Sequence, residues 1–104
     1  MKRYLIATAL ALLAGLATGG ARADPILAEV RTFAFTSCPN GWAPLNGQLL
    51  PISQNQPLFS LLGTRYGGNG QTTFALPTAR PVYSPSGALL LQCIALEGLF
   101  PALN

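Results

Sequence analysis

The chain has 104 residues, with six lysines or arginines, three aspartates or glutamates and no histidine, and a formal net charge of +3. Three of the basic residues, Lys2, Arg3 and Arg22, lie within residues 1–23, so residues 24–104 balance three arginines against three carboxylates. A neutral segment of this kind has no electrostatic basis for binding nucleic acid or an anionic membrane, because such binding depends on clustered positive charge.

Residues 1–23 are predicted to be a cleavable secretory signal peptide. Two basic residues come first, an uncharged apolar run follows at residues 5–17, and Ala-Arg-Ala at 21–23 forms a small-residue cleavage site. A transmembrane anchor is the alternative, but the apolar run is shorter than the roughly 20 residues that a spanning helix needs. We therefore expect a secreted or periplasmic protein that begins at Asp24 and has no membrane span after cleavage.

Residues 24–104 are enough for one small domain, whose core must be limited in size. The two cysteines, Cys38 and Cys93, allow one intramolecular pairing, and an oxidising destination favours it. A redox-active or metal-binding thiol pair would need CxxC spacing or histidine ligands, which the chain lacks. We expect a structural disulfide between Cys38 and Cys93.

The first half of this domain is predicted to contain strands and tight turns. Residues 28–35 alternate, with Glu29, Arg31, Phe33 and Phe35 on one face, which is typical of a strand. The segment Cys-Pro-Asn-Gly at residues 38–41 ends it, because Pro and Asn-Gly favour a turn. A second turn is predicted at Asn46-Gly47, and the segments on either side of it, residues 42–45 and 48–52, are expected to form a hairpin.

One short helix is predicted next, followed by two more strands. Ser53 or Asn55 can cap the helix, Pro57 suits its first turn, and Gly63 is expected to end it. A flexible glycine-rich loop follows, and apolar runs at residues 72–76 and 89–96 predict strands, the second of them buried. The prediction is a small α+β domain of a few short strands and one short helix, in which the disulfide links neighbouring N- and C-terminal strands.

Several short segments of this part of the chain resemble a known family. They are Gly-Trp-Ala at 41–43, Asn-Gly-Gln-Leu-Leu at 46–50, Ile-Ser-Gln-Asn at 52–55, Leu-Phe-Ser-Leu-Leu-Gly-Thr at 58–64, Tyr-Gly-Gly-Asn-Gly at 66–70, Thr-Thr-Phe-Ala-Leu-Pro at 72–77 and Cys-Ile-Ala-Leu-Glu-Gly-Leu-Phe-Pro at 93–101. In their order they resemble the phage tail collar domain, a family that includes short tail-fibre proteins and bacterial microcystin-dependent proteins. The resemblance implies a small α+β unit whose last strand comes from the C-terminal end, and residues 24–104 are interpreted as one collar-like domain.

The chain also departs from this family. Members usually have an Asp-Leu-Arg-Gly-Arg-like stretch after the Leu-Pro, whereas this chain has Thr-Ala-Arg-Pro at 78–81, so only Arg80 matches. Longer members carry a large Gly-rich insertion before the last strand, and in tail fibres the receptor-contacting and trimer-forming parts lie beyond the collar. The resemblance therefore implies the scaffold, without implying receptor binding, metal binding or trimerisation.

The glycine-rich loop at residues 67–70 is a candidate ligand site. It lacks the lysine of a phosphate-binding loop, and its helix precedes it, so the glycines are interpreted as turn residues. The alternative is a surface loop that binds a ligand through Arg65, Tyr66, Asn69 and Gln71.

Trp42 is the second candidate. A small domain needs its largest side chains inside, so Trp42 is expected in the core with Phe59, Leu62 and Phe74. An exposed Trp42 that stacks on a carbohydrate is the alternative.

No catalytic constellation is visible. The chain has no histidine to act as a general acid or base, and its serines have no base partner. Its carboxylates are not paired around a substrate. We therefore expect no enzyme activity, cofactor or metal site. The favoured interpretation is an exported, non-catalytic structural or interaction module that adheres to a cell-surface or extracellular partner or self-associates. A secreted glycan- or small-ligand-binding protein that uses the loop from Arg65 to Gln71 is the alternative, and a prophage-derived remnant is a third.

Overall fold

The computed structural model describes residues 24–103, so the predicted signal peptide lies outside the described part of the chain. None of the helices within these residues is long and apolar enough to cross a membrane. The elements in chain order are β1 (Val30–Phe33), β2 (Trp42–Pro44), β3 (Leu49–Pro51), a 3-10 helix (Ile52–Gln54), α1 (Gln56–Leu62), β4 (Thr73–Ala75), β5 (Val82–Tyr83) and β6 (Leu89–Ala95).

The long last strand, β6, organises the larger of two sheets. Strands β1 and β2 pair with it on opposite sides, both antiparallel, and β5 pairs with its first residues. The smaller sheet consists of β3 and β4, also antiparallel. The predicted α+β class is confirmed, as is the prediction that the N-terminal and C-terminal strands are neighbours.

The register of the larger sheet gives it two different faces. Val30, Ala43 and Ile94 are aligned across the three strands, and Ile94 and Ala43 belong to the buried core, so we call this side the core face. Side chains alternate along a strand, which puts Arg31 and Cys93, the neighbours of Val30 and Ile94, on the opposite side. We call that side the outer face.

The core lies between the core face, the helix and β4. Leu58 of α1 and Phe74 of β4 are completely buried, and the ring of Phe59 lies 5.4 Å from that of Phe74. Leu62 also packs against this cluster from its partly buried position. The full set of buried cluster residues is Leu27, Ala43, Leu45, Leu58, Phe74, Leu76 and Ile94.

Trp42 lies outside this core, contrary to the expectation from its size. It is aligned with Ala95, whereas the next residue, Ala43, is aligned with Ile94 and enters the core. Because a strand alternates its side chains, burying Ala43 places Trp42 on the outer face, where it is only half-buried.

The predicted hairpin around Asn46-Gly47 is also wrong, although the turn is present. The amide of Gln48 donates to Asn46 Oδ1 at 3.1 Å, and Gly47 has a φ of 80°. The flanking strands nevertheless separate, because β2 pairs with β6 and β3 pairs with β4. The turn reverses the chain locally, while the burial of Ala43 and Phe74 selects different partners for the two strands.

Helix α1 has the predicted ends. Asn55 is its N-cap residue, Pro57 lies in its first turn, and Gly63 follows Leu62 with a φ of 58°. The Gly63 amide donates to the Phe59 carbonyl at 2.7 Å, which satisfies one of the last carbonyls of the helix. The Asn55 side chain does not cap the helix but donates to the Pro51 carbonyl, which closes the preceding 3-10 turn.

The two ends of the domain are joined by a short parallel bridge. Ile26 pairs with Leu99, the Leu27 amide donates to the Leu99 carbonyl at 2.8 Å, and the Leu99 amide donates to the Pro25 carbonyl at 2.9 Å. Gly98 permits this approach, since a Cβ there would lie 2.3 Å from the Pro25 carbonyl oxygen. These hydrogen bonds join the segment that precedes β1 to the segment that follows β6.

The predicted disulfide is present. Cys38 and Cys93 are bonded with their Cα atoms 6.0 Å apart, across a sequence separation of 55 residues. Cys93 is completely buried in β6, and Cys38 lies in the connection between β1 and β2 rather than at the end of β1 itself. The bond therefore fastens the β1–β2 connection to the central strand.

Replacing both cysteines, as Cys38→Ala together with Cys93→Ala, should lower the free energy of unfolding by up to about 4 kcal/mol, because the unfolded chain regains the freedom of a long closed loop. Urea unfolding of the variant and of the oxidised protein measures the difference. Wild-type protein unfolded in reductant is the matched control and should give a similar loss. Equal midpoints with and without reductant would contradict this account of the stability.

Candidate functional site

The glycine-rich loop is organised around one side chain. Asn69 Oδ1 accepts hydrogen bonds from the amides of Gln71, Thr72 and Thr73, at 2.8, 2.8 and 3.1 Å. Its Nδ2 donates to Thr72 Oγ1 at 3.0 Å. The amide group of Asn69 is thus used within the loop, where its hydrogen bonds define the turn.

The glycines of this loop allow it to lie directly against the smaller sheet. A Cβ at Gly68 would lie 2.4 Å from the Cα of Phe74, and the residue has a φ of 91°. The Gly67 carbonyl accepts from the Ala75 amide at 3.1 Å. Of the proposed ligand-loop residues, Arg65, Tyr66 and Gln71 are exposed beside Asn69.

Substituting Asn69→Ala should destabilise the domain by about 1 kcal/mol, because three loop amides lose the acceptor that holds the shape of the loop. Thermal or urea unfolding measures this change. Asn69→Asp keeps the acceptor oxygen and should retain most of the stability, and Gln71→Ala is the neighbouring exposed control. An Asn69→Ala protein as stable as the Gln71→Ala protein would show that these bonds contribute little.

The outer face of the larger sheet carries four side chains that we call the aromatic cluster: Arg31, Phe33, Phe35 and Trp42. The ring of Phe33 lies 5.4 Å from that of Phe35 in a stacked arrangement and 5.3 Å from that of Trp42 edge to face. The guanidinium carbon of Arg31 lies 5.6 Å from the centre of the Trp42 ring, within the range of a cation–π interaction. Phe35, at the end of the cluster, is 60% exposed.

Arg31 is held in the cluster from its other side by Glu29. Its Nε donates to the Glu29 carboxylate, and the Ile26 amide donates to the same carboxylate at 3.0 Å. These two hydrogen bonds, the first of them the stronger influence, lower the pKa of Glu29 below the ordinary glutamate value. Glu29 therefore stays ionised in mildly acidic solution and keeps Arg31 over Trp42.

The pKa of Glu29 should rise when Arg31 is replaced by glutamine, because the carboxylate loses its main donor. Since the folded-state pKa is the lower one, the contribution of the Glu29–Arg31 pair to stability is present above the unfolded-state pKa of about 4.3. It is lost as the pH falls through the folded-state value. NMR titration of the side-chain carboxyl groups measures the Glu29 pKa in the wild type and in Arg31→Gln. Arg65→Gln, at another exposed arginine, is the control. An unchanged Glu29 pKa in Arg31→Gln would refute the assignment.

Trp42 also borders a groove of about 480 Å³, the Trp42 groove, whose other polar side chains are Asp24, Asn40 and Glu97. A neighbouring hollow of about 380 Å³ shares Gly41, Glu97 and Gly98 with it and continues towards α1. An aromatic wall with carboxylate and amide groups suits hydroxyl-rich or cationic molecules and disfavours anions. Glu97 lines this groove, and Arg31 pairs with Glu29 rather than with Glu97.

The structure does not bring the predicted candidates into one site. Arg65, Tyr66, Asn69 and Gln71 lie on the loop before β4, whereas Trp42 lies on the outer face of the larger sheet. The sequence interpretation did not single out the aromatic cluster as a surface, although the alternation of residues 28–35 had placed Arg31, Phe33 and Phe35 on one face. Within residues 24–103, no group of three His, Cys, Asp or Glu side chains could hold a metal ion.

Comparison with known proteins gives one match. The family model of the phage tail collar domain matches residues 28–82, which is more than half of the chain and extends from just before β1 to the start of β5. No curated protein and no solved structure matches the chain. The matched segment contains β1 to β4, helix α1, the Asn69 loop and the aromatic cluster.

Proposed function

Because the chain belongs to the phage tail collar domain family, we propose that it is a non-catalytic structural module that acts by contact with other macromolecules, through self-association or adhesion to a surface. The family indicates a structural module of the phage tail type. To this we add two proposals of our own: that the domain acts by contact with other macromolecules, and that it is located outside the cell or in the periplasm. The single observation that carries the contact role is the exposed aromatic cluster.

The aromatic cluster has the properties of a contact surface. Tryptophan, phenylalanine and arginine are the residue types enriched at protein interfaces, and here they lie together on one exposed sheet face. Phe33 stacks on Phe35 and meets Trp42 edge to face, which orders the rings before a partner binds, so little side-chain freedom would be lost on binding. An exposed apolar patch of this kind on a small protein is typical of an interaction site.

The charges of the domain are consistent with this role. Residues 24–104 have a formal net charge of zero, which removes electrostatic repulsion between copies or from another neutral surface. The nearest carboxylate to the cluster, Glu29, is neutralised by Arg31. The surface is therefore suited to apolar and aromatic contact rather than to binding a highly charged partner.

Several polar side chains of types used in catalysis form hydrogen bonds or an ion pair within the domain. Glu29 binds Arg31, Ser60 donates to the Pro57 carbonyl at 2.6 Å, and Ser84 and Ser86 bind each other at 2.9 Å. With no histidine in the chain, none of these serines has an imidazole base. These contacts support a non-catalytic role.

Two further features support export. The pattern of residues 1–23 is that of a secretory signal peptide, and the disulfide is of a type that persists in oxidising compartments. We place the working protein outside the cytoplasm, as a secreted or periplasmic domain.

A second candidate function is binding of a glycan or other small ligand. The loop from Arg65 to Gln71 is less suited to this role than its sequence suggests, because the Asn69 amide is committed to the loop itself. The Trp42 groove favours it instead, since a half-exposed indole beside Asn40 and two carboxylates is a suitable arrangement for a neutral sugar.

Light scattering after size-exclusion chromatography, from micromolar to millimolar concentration, tests the structural proposal on the oxidised mature protein. We expect concentration-dependent self-association, or retention on a bacterial cell surface, that Phe35→Ser weakens and Leu49→Ser, at an equally exposed position on β3, does not. A monomer that is retained on no surface would refute the proposal. Quenching of Trp42 fluorescence by a specific neutral sugar would instead favour the second candidate.

A further inference from the structure

Strand β1 is an edge strand with one side unpaired. Its only partner among residues 24–103 is β6, so its other side presents free backbone groups. Val30 is 49% exposed although it lies on the core face, and Arg31 and Thr32 are exposed as well. An exposed edge without proline or lysine is a template for pairing with another strand.

The hydrogen bonding to β6 determines which residues of β1 are free to pair. The Ala95 amide donates to the Glu29 carbonyl at 2.9 Å, so Glu29 directs its carbonyl inward to β6. Because hydrogen-bonded and non-hydrogen-bonded residues alternate in an antiparallel pair, Arg31 and Phe33 also bond to β6. The N–H and C=O groups of Val30 and Thr32 therefore point outward, along the free edge.

We propose that β1 pairs antiparallel with β1 of a second copy of this chain, with Val30 opposite Val30. The inference rests on the proposed contact function and adds a second surface to it, the β1 edge, which lies beside the aromatic cluster. In this register the two Val30 residues exchange their free N–H and C=O groups. Glu29 of each copy then lies opposite Arg31 of the other, so the edge is complementary to itself in charge.

The alternative registers that the outward groups permit are less favourable. Pairing centred on Arg31 places two arginines directly opposite each other, which is destabilising. Pairing centred on Thr32 places Arg31 opposite Phe33 and leaves Glu29 without a charged partner. Both this register and the one centred on Val30 run past an end of β1, since Thr32 lies opposite Ala28 in the latter, so strand length does not separate them. The charges therefore select the register centred on Val30.

This pairing also determines where the aromatic clusters lie. The two-fold axis of an antiparallel strand pair is perpendicular to the sheet, so both copies present the outer face on the same side. The two aromatic clusters then form one continuous exposed face across the joined sheets. A partner that contacts one cluster can contact both, which raises its apparent affinity through bivalent attachment.

Two charge reversals provide the test, Arg31→Glu and Glu29→Arg. Each variant alone carries two like charges on its edge, so its self-association should weaken by about tenfold or more. An equimolar mixture of the two should restore association as a heterodimer close to wild-type strength, since every facing pair is then opposite in charge. Because each variant has lost its own Glu29–Arg31 pair, the rescue cannot come from within one chain.

Arg65→Glu is the matched control, with the same change in net charge at an exposed arginine away from the edge, and it should self-associate like the wild type. Circular dichroism verifies that each variant is folded. As an independent measurement, Val30→Cys should form a disulfide-linked dimer under mild oxidation, since paired Cα atoms lie within bonding range, whereas Leu49→Cys should not.

The outcomes separate this inference from the function on which it rests. Wild-type association that both charge reversals leave intact, with no Val30→Cys dimer, would overturn the β1 pairing and leave the structural role standing. A wild-type monomer at millimolar concentration would also overturn the pairing, while cell-surface retention would still support the role in adhesion. The pairing would be established by three results together: weakened self-association of each single variant, restored association in the equimolar mixture, and a disulfide-linked Val30→Cys dimer.

Discussion

The pairing of β6 on both of its sides is the constraint on which the rest of this domain depends. The strand receives β1 along one edge and β2 along the other, and its residues Cys93, Ile94 and Ala95 are all buried. Because the side chains of β6 alternate between its two faces, Ile94 lies in the core and Cys93 lies on the outer face. The same strand therefore contributes to both the apolar cluster and the disulfide. Strand β1 pairs with β6, which is far from it in sequence, so the sheet depends on non-local contacts although the domain is small.

Much of this architecture follows from local patterns in the sequence, and the exceptions have a common cause. Helix α1 begins and ends where Pro57 and Gly63 predict, because these residues act within one turn of the chain, whereas the Asn55 side chain forms no capping hydrogen bond. The Asn46-Gly47 turn was equally visible, but the partners of its flanking strands depend on distant residues, Ile94 for β2 and Phe74 for β3. Trp42 was misplaced for the same reason, since its face depends on the burial of its neighbour Ala43.

The surface could be predicted less well than the fold. Asn69 was a candidate ligand-binding side chain because its sequence context shows a polar residue among glycines. The donors to its Oδ1 are backbone amides, which have no sequence signature. The aromatic cluster had a signal in the alternation of residues 28–35, but joining Phe33 to Trp42 requires knowing that β1 and β2 flank the same strand. Surfaces assembled across a sheet are visible only after its strand order is known.

The disulfide also determines how the domain would respond to mechanical force. If the chain were pulled from its two ends, the parallel bridge between Ile26 and Leu99 would bear the load first, followed by the β1–β6 ladder. Extension would then stop at Cys38 and Cys93, because the disulfide prevents the segment between them from being stretched. Fully extended, that segment would be roughly 190 Å long, at about 3.5 Å per residue. Helix α1, the Asn69 loop and the smaller sheet all lie within this protected segment. A domain built in this way can yield at its ends under tension while most of its structure remains unloaded.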